Sequence, residues 1–349
     1  MLVRPVAENL LERVAKALNL APVPAGHMVF GLAGDGALVA GVRLGLLQRL
    51  ASGPPADAAA LARQLELDEA GTRLLCDSLA ALGYVTAAGA PPAYGMSRRW
   101  RRWFDPASAT YVGTYVAHGR DYLRWWERLE DVLRGAHHEE IHGDDPDDPH
   151  WETYIRGQYE LARLSAPEVA RAIDLPKGAT SLLDLAGGHG WFAAALCRRH
   201  KRLTATVIDL PGSARIGRAI VAEAGMADRV RFVEGDLAVA DLGGPHDGVL
   251  AFNIVHHLSP EQVVALLRRL HAALRAGGTL AILDLWARPA DEPPDSKSLL
   301  GLFFYLTSGA ATYSPDQLRG WLAETGFDQP KAVRIKRNPS QTLFVTHRR

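Results

Sequence analysis

The sequence predicts an α/β protein in which a mostly parallel β-sheet follows a mainly helical N-terminal domain. From residue 181 onward, short apolar segments alternate with helical patterns. This alternation is typical of an open sheet with helices on its faces. Helical patterns dominate the first 100 residues. A chain of 349 residues is also too long for one ordinary core, so we expect at least two domains.

The N-terminal domain has the pattern of a winged helix, that is, three helices and a β-hairpin. The helical patterns cover residues 36–50, 57–65 and 68–82, and the hairpin candidate covers residues 84–96. Many winged helices bind DNA, but here Arg73 is the only basic residue of the candidate recognition helix. The hairpin tip is uncharged. DNA phosphates would find few contacts on this domain, and we favour a role in subunit contact.

Two further segments raise alternatives before the sheet begins. Residues 98–103 interleave arginines with Trp100 and Trp103, a composition found on nucleic-acid surfaces. We favour an amphipathic helix start whose indoles pack inward. Residues 137–150 are rich in histidine and aspartate, but no spacing fixes a metal geometry. We therefore expect a polar linker between domains there, and no metal site.

The first strand of the sheet leads into a glycine-rich turn. Residues 181–190 read Ser-Leu-Leu-Asp-Leu-Ala-Gly-Gly-His-Gly, and a helix is predicted from Trp191. Glycines in such a turn let backbone amides approach a ligand closely. The next predicted strand, Thr204–Asp209, also ends in an acid. In nucleotide-binding sheets an acid at this point accepts hydrogen bonds from ribose hydroxyls, so the pair predicts a nucleoside cofactor.

Three more strands and a capped helix complete the predicted pattern. The strands cover residues 230–237, 247–255 and 279–286, and a helix over residues 259–275 begins with Ser259 as its cap. The carboxyl ends of parallel strands meet at one edge of the sheet. Asp209, Asp236 and His256 all fall at such ends, so we expect them to border one crevice.

The order of these motifs resembles class I S-adenosylmethionine-dependent methyltransferases. It is most similar to the small-molecule O-methyltransferases of plant phenolic and bacterial polyketide pathways. The matching motifs read DLAGGHG, VIDLP, EGDL, VHHLS and GGTLAILD. An NAD-dependent dehydrogenase fits less well, because its third glycine would fall at Phe192–Ala193. The resemblance implies a winged-helix dimerisation domain at 1–100, a helical linker contributing to the acceptor pocket at 101–175, and a Rossmann-like catalytic domain at 176–349.

The resemblance also implies residue roles. The cofactor would be S-adenosyl-L-methionine, bound by Asp184, Gly187, Gly188, Gly190, Asp209, Leu210, Asp236, Leu237, Phe252 and Asn253. His256 would be the general base, oriented by Asp284, with His257 as the alternative base. One of the two histidines could instead only cap the following helix. The acceptor pocket would include Trp286, Phe303, Phe304 and Thr307, unless the helix around residues 299–308 is only core or dimer contact.

Two positions depart from the family pattern. Ala186 stands where most members have the first glycine of the loop, and Thr312 stands where many have a second acid beside the base. A cofactor loop remains plausible with Ala186 provided that its φ angle is not positive. Two alternatives remain open, the first because the second acid is missing and the second because the N-terminal domain resembles a winged helix. The fold could keep the cofactor for decarboxylation, hydroxylation or ring closure, or the chain could be a ligand-sensing regulator.

Composition and net charge limit the classes of partner that we expect for this chain. The formal net charge is +0, which favours neither nucleic acid nor an anionic membrane. We expect a small-molecule acceptor and a homodimer, with no nucleic-acid or membrane partner. No apolar run is expected to reach a membrane span, and the polar start argues against a signal peptide. Two cysteines in apolar patterns, Cys76 and Cys197, predict a reducing cytoplasmic location.

Overall fold

The computed structural model describes residues 6–7, 9–139, 141–143, 145–288 and 292–349. The chain forms two compact units, Met1–Arg120 and Asp121–Arg349. The first unit is mainly helical and the second is an α/β unit with a mixed central sheet, so the predicted fold class is confirmed. The finer division at residues 100 and 175 stays a prediction.

The first unit consists of helices and one small antiparallel sheet. Its elements are α1 (Leu10–Ala17), α2 (Val23–Arg43), α3 (Leu46–Ser52), α4 (Ala58–Leu65), α5 (Glu69–Ala81), β1 (Val85–Ala88), β2 (Ala93–Met96), α6 (Arg101–Phe104) and α7 (Gly113–Ala117). The single helix predicted over residues 36–50 is two helices, because Gly45 adopts a φ of 75° that L-residues avoid. Asp57 and Asp68 cap α4 and α5 through side-chain hydrogen bonds.

The basic run near α6 stacks its arginines on its own indoles. The guanidinium of Arg99 lies 4.5 Å from the centre of the Trp100 ring, and that of Arg102 lies 4.6 Å from the Trp103 ring. Both indoles are partly buried against the core of this unit. Arg101 donates a hydrogen bond to the carbonyl oxygen of Ala51. The inward packing of the two tryptophans is therefore as predicted.

Helix α2 corrects one expectation. It is 21 residues long, with a mean hydropathy of 1.3 over its most apolar window, and is thus long and apolar enough to cross a membrane by length and composition. Only 11% of that window is buried. The prediction that no apolar run reaches a membrane span was wrong, because the apolar residues and alanines of this helix outweigh its few polar side chains.

The second unit contains a seven-stranded sheet, and its first helix begins two residues before the division at residue 121. Its elements are α8 (Gly119–Trp126), α9 (Leu129–Leu133), α10 (His150–Ala172), β3 (Ser181–Leu185), α11 (Trp191–Arg199), β4 (Thr204–Asp209), α12 (Pro211–Glu223), β5 (Val230–Glu234), β6 (His246–Phe252), α13 (Pro260–Ala273), β7 (Leu274–Asp284), α14 (Lys297–Ser308), α15 (Pro315–Glu324), β8 (Lys331–Arg334) and β9 (Thr342–His347). The strand order is β5-β4-β3-β6-β7-β9-β8. The first five strands are parallel, and β9 runs antiparallel to both of its neighbours.

The central strands are buried on both faces. On β3, Leu182 belongs to one apolar cluster and Leu183 to the other, as the two-residue period of a strand requires. Helices α10 and α11 contribute to the first cluster, and α13 and α15 to the second. The sheet is thus covered on both sides, and its carboxyl edge is left as the place where loops converge.

Two local predictions have different outcomes. Ser259 caps α13 in a reciprocal pair with Gln262, as the sequence predicted, so neither neighbouring histidine is needed as the cap. The segment predicted as a linker between domains does not lie between the two units. Its described residues, 137–139, 141–143 and 145–150, fall inside the second unit, where Ile141 packs in an apolar cluster.

Candidate active site

The glycine-rich turn connects β3 to α11 with several residues in left-handed conformations. Ala186 has a φ of 52°, Gly188 of 52° and Gly190 of 63°. A Cβ atom at Gly187 would lie 2.5 Å from Cγ of Asp184, so only glycine fits there. A cofactor loop with Ala186 was expected only if the φ angle of this residue were not positive, and the structure shows a positive one. This alanine holds a backbone conformation that glycine adopts more readily.

Asp184 is a buried carboxyl group at the base of this turn. It is 1% exposed, and its Oδ2 has no hydrogen-bond partner within the described ranges. Burial, and secondly the nearby charge of Asp209, raise the pKa of Asp184 to about 8. A buried acceptor without a partner is costly, and a cationic ligand group would satisfy it.

Asp209 ends β4 beside the same turn. Its Oδ2 accepts the Gly188 amide at 2.6 Å and its Oδ1 accepts the Leu210 amide at 2.7 Å. Burial raises the pKa of Asp209, although these amides act in the opposite direction. The carboxylate is thus fixed at the carboxyl edge, with lone pairs left for further donors.

Three more residues assigned to the cofactor lie in the loops beyond β4 and β5. Leu210 is partly buried and packs against a cluster that contains Trp151. Asp236 is exposed and its Oδ1 accepts the Ala238 amide at 2.7 Å, which fixes the turn. Leu237 is partly buried against the core.

The last two residues assigned to the cofactor follow one another at the end of β6. Phe252 is buried and meets Phe192 edge to face, with ring centres 5.0 Å apart. Asn253 is exposed, has a φ of 55°, and accepts a hydrogen bond from the Gln341 side chain. The Phe252 side chain therefore lies in the core, and the Asn253 side chain lies at the surface.

His256 and Asp284 form a buried pair at the ends of β6 and β7. His256 lies in a short 3-10 turn, Val255–His257, and its Nδ1 is 2.6 Å from Oδ1 of Asp284. Asp284 is 1% exposed and also accepts the backbone amides of Val255 and Leu285, at 3.0 and 2.7 Å. Because the carboxylate only accepts, it selects the tautomer that carries its proton on Nδ1 and leaves Nε2 as a base.

His257 lies on the other side of His256. The two ring centres are 4.2 Å apart at a tilt of 49°. Burial, and then the charges of His256 and His142, lower the pKa of His257 well below its usual range. This imidazole is therefore neutral at physiological pH.

The residues assigned to the acceptor pocket occupy different environments. On α14, Phe303 is buried among Tyr122 and Trp125, whereas Phe304 is partly buried and stacks on the ring of His256. Thr307 is buried and donates its hydroxyl hydrogen bond to the Phe303 carbonyl. Of the four, Phe304 is the side chain in contact with the imidazole.

Trp286 and Thr312 lie near the following loops. Trp286 is 3% exposed, donates its indole N–H to the Thr342 carbonyl, and meets Phe344 edge to face. Thr312 is partly buried. Its neighbour Tyr313 donates a hydrogen bond to the Leu258 carbonyl, so this loop is attached to the turn that follows the histidines.

Two residues near the base were missed from the sequence. His142 lies 5.2 Å from His257, ring centre to ring centre, and its Nε2 is 3.2 Å from the hydroxyl oxygen of Tyr154. The sequence did not indicate this contact, because the aspartates and prolines around residue 142 predict an exposed loop. The available signal was Ile141, an apolar residue within a polar segment, which the structure buries.

Comparisons with known proteins identify the family of this chain. Residues 116–328 match the O-methyltransferase domain family. The acetylserotonin O-methyltransferase of Mus musculus is 30% identical, over 91% of this chain and 86% of that protein. The 3-hydroxy-5-methyl-1-naphthoate 3-O-methyltransferase of Streptomyces sahachiroi is 27% identical, over 85% of this chain and 87% of that protein.

A solved structure agrees at the level of the fold. Human N-acetylserotonin methyltransferase, in complex with S-adenosylmethionine, superposes with a TM-score of 0.82 at 19% identity, covering 99% of each chain. The matched residues 116–328 include the glycine-rich turn, both acids at the ends of β3 and β4, and the His256–Asp284 pair. The chain therefore belongs to the O-methyltransferase domain family and is an S-adenosylmethionine-dependent methyltransferase.

Proposed function

We propose that this enzyme methylates a hydroxyl group of a small aromatic acceptor, with His256 as the general base. The observation that carries the proposal is the 2.6 Å contact between His256 Nδ1 and Asp284 Oδ1. The pair lies at the carboxyl edge of the sheet, where the glycine-rich turn also ends. No second acid is needed to set the tautomer, because Asp284 already does so.

The proton chemistry suits a phenolic hydroxyl. A phenol has a pKa of about 10 and a histidine of about 6.5, so Nε2 of His256 can take the proton as the oxygen attacks. Asp284 stabilises the imidazolium that results. S-adenosylmethionine supplies a methyl group on a sulfonium, an excellent leaving group. The protein must then mainly align the acceptor oxygen with that methyl and remove the proton.

The residues of the turn fit this cofactor. The partnerless Oδ2 of Asp184 suits the ammonium of the methionine portion. Asp209, held by the Gly188 and Leu210 amides, suits the ribose hydroxyls. Gly187 keeps the space beside Asp184 clear, since a Cβ there would clash with that carboxyl group. Leu237, which is partly buried, adds an apolar side chain at the same edge of the sheet.

The acceptor is proposed to be flat and aromatic. Phe304 offers one face of its ring beside His256, and aromatic rings gain about 0.5–1.5 kcal/mol from such stacking beyond the area they bury. The S. sahachiroi relative is named for a hydroxynaphthoate, which is an acceptor of this kind.

The test compares His256→Ala with His347→Ala, a control at an exposed imidazole on β9. Transfer of radiolabelled methyl to a panel of hydroxynaphthoates is measured, together with cofactor binding by calorimetry. The His256 variant should lose roughly 10²–10⁴-fold in turnover and bind the cofactor as before. Full turnover in that variant would remove His256 from the role of base. Acceptor consumption without release of S-adenosylhomocysteine would instead indicate chemistry other than methyl transfer.

We further propose that the enzyme is a homodimer joined through its N-terminal helices. Helices α1 and α2 leave large apolar side chains in solvent, including Leu11 at 81% and Phe30 at 76% exposure. Such a surface usually marks an interface. A second copy offers a surface of the same apolar character, which fits the predicted dimerisation role of this domain.

Analytical ultracentrifugation tests this arrangement. The unmodified chain should sediment as a dimer, and Phe30→Asp should shift it towards the monomer. Leu133→Asp, at a 59% exposed apolar residue of the second unit, is the control and should leave the dimer intact. A monomeric unmodified chain, or one that pellets with lipid vesicles, would contradict the proposal. We also propose a cytoplasmic location, because Cys76 and Cys197 are both buried free thiols.

A further inference from the structure

Three imidazoles lie in succession next to the reaction centre. From His256 to His257 the ring centres are 4.2 Å apart, and from His257 to His142 they are 5.2 Å apart. His256 is 7% exposed, whereas His257 and His142 are partly exposed. The series therefore leads from the most enclosed ring towards the surface of the unit.

The outermost ring is held in place by rigid neighbours. The Nε2 of His142 is 3.2 Å from the Tyr154 hydroxyl oxygen, and Tyr154 belongs to the long helix α10. Tyr154 in turn stacks on His150, with ring centres 5.5 Å apart and planes at 11°. These contacts fix the direction of the His142 ring relative to His257.

Each methyl transfer leaves a proton that must be removed. The acceptor O–H bond breaks as its oxygen bonds the methyl carbon, and the electrons of the S–CH₃ bond remain on sulfur. The proton resides on Nε2 of His256, so the imidazolium replaces the sulfonium as the positive charge of the site. A second cationic cofactor would be repelled by that imidazolium in a buried site. His256 must therefore lose its proton before the next turnover.

We propose that His257 and His142 relay this proton from His256 towards solvent, with Tyr154 as the residue that positions His142. The relay rests on the proposed role of His256 as the base. No group other than the three imidazoles and solvent water is required, and charge is conserved at each step.

The ring separations suit such a transfer. An N–H···N hydrogen bond between two imidazoles places their centres about 5 Å apart. The His142–His257 separation of 5.2 Å, with planes at 78°, is close to this value. The His256–His257 contact is tilted and tighter, so the proton crosses this step when the His257 ring turns about its Cβ–Cγ bond.

Burial, and then nearby positive charge, keep His142 and His257 in their neutral form between turnovers, so that each holds an extra proton only transiently. Burial, and then the charges of His150 and His256, lower the pKa of His142 to about 4. Among the described residues, the titratable groups that face the series are Tyr154 and His150 from α10, and Asp284 from β7, which is bonded to His256. At neutral pH, His142 and His257 are neutral imidazoles, each with one N–H and one acceptor nitrogen, so a second proton taken up by either ring is passed on and not retained.

The experiment measures kcat and KM for an acceptor of the full-length enzyme carrying His142→Ala or His142→Gln. Glutamine preserves a hydrogen bond to Tyr154 but cannot relay a proton. His137→Ala, at an exposed histidine of the same segment, is the matched control. Both His142 variants should lose about tenfold in kcat with KM unchanged, and added imidazole should restore the alanine variant. Tyr154→Phe should lower kcat by a smaller factor.

Several outcomes would overturn the relay. They are an unchanged kcat in the His142 variants, a rise in KM alone, recovery by glutamine, or no effect of added imidazole. A thermal midpoint equal to that of the unmodified enzyme shows that the losses are not unfolding. The base itself is tested separately. If His256→Ala keeps full turnover, the proposed function has failed, whereas intact His142 variants beside an inactive His256→Ala contradict the relay alone.

Discussion

The ring of Phe304 lies face to face with the imidazole of His256, with ring centres 3.8 Å apart and planes at 19°. Helix α14 thus covers one face of the proposed base, while Asp284 holds its Nδ1 edge. We therefore expect an acceptor that reaches Nε2 to contact Phe304.

Phe304→Leu should weaken the binding of aromatic acceptors. Leucine keeps the apolar volume but loses the flat face, which is worth about 0.5–1.5 kcal/mol, or about two- to tenfold in KM. Turnover at saturating acceptor should change less, since Asp284 still orients His256. Steady-state kinetics with one hydroxynaphthoate checks this. Tyr305→Leu, on the same helix and 38% exposed, is the control. A KM that stays constant in Phe304→Leu would exclude the stacking role.

Asp284→Asn should remove most of the activity and part of the stability. The carboxylate accepts from three donors, the Val255 and Leu285 amides and His256 Nδ1. An asparagine side chain would present an N–H₂ group to at least one of them and would select the wrong tautomer of His256. We expect kcat to fall roughly 10²–10⁴-fold, and stability to fall by about 1–3 kcal/mol.

Asp247→Asn separates these two effects. Asp247 is also buried and accepts the Thr180 and Ser181 amides, but it lies at the amino edge of the sheet and pairs with Arg275. In urea denaturation, Asp247→Asn should lower the free energy of unfolding by an amount comparable to Asp284→Asn. Its turnover per folded molecule should stay unchanged. If both variants lose turnover alike, the loss reflects folding and not the orientation of His256.

Local sequence patterns predicted the strands, the glycine-rich turn and the cap of α13, because each depends on residues that are close in the chain. The acid at residue 284 was assigned through the family resemblance, and the structure brings it to His256 from 28 residues away. His142 could not be assigned in this way. Its contact with His257 spans 115 positions and depends on how the loop before α10 packs, which no local pattern specifies.

Cofactor binding should release a proton at pH 7. The pKa of Asp184 is raised to about 8, so this carboxyl is mostly protonated in the free enzyme at pH 7. An ammonium beside it favours the carboxylate and expels that proton. In the free enzyme the same shift has a second consequence. The folded state binds this proton more tightly than the unfolded chain, so the contribution of Asp184 to stability falls as pH rises from about 4 towards 8.

Calorimetry in two buffers of different ionisation enthalpy counts this proton. We expect about one proton released per cofactor by the unmodified enzyme, and none by Asp184→Asn. The pKa of Asp209 is raised as well, so Asp209→Asn identifies any part of the signal that comes from β4. Equal proton release by the unmodified enzyme and Asp184→Asn would show that Asp184 is already ionised or does not meet the ammonium.

Ala186→Gly should stabilise the enzyme without weakening cofactor binding. Ala186 has a φ of 52°, a conformation that costs an L-residue about 1–2 kcal/mol. Glycine removes this cost but adds about 0.5–1 kcal/mol of chain entropy to be lost on folding. A net gain of roughly 0.5–1 kcal/mol follows, measurable by urea denaturation. Ala195→Gly, inside α11, should instead lose about 1 kcal/mol. If the two variants lose stability equally, the turn does not strain Ala186.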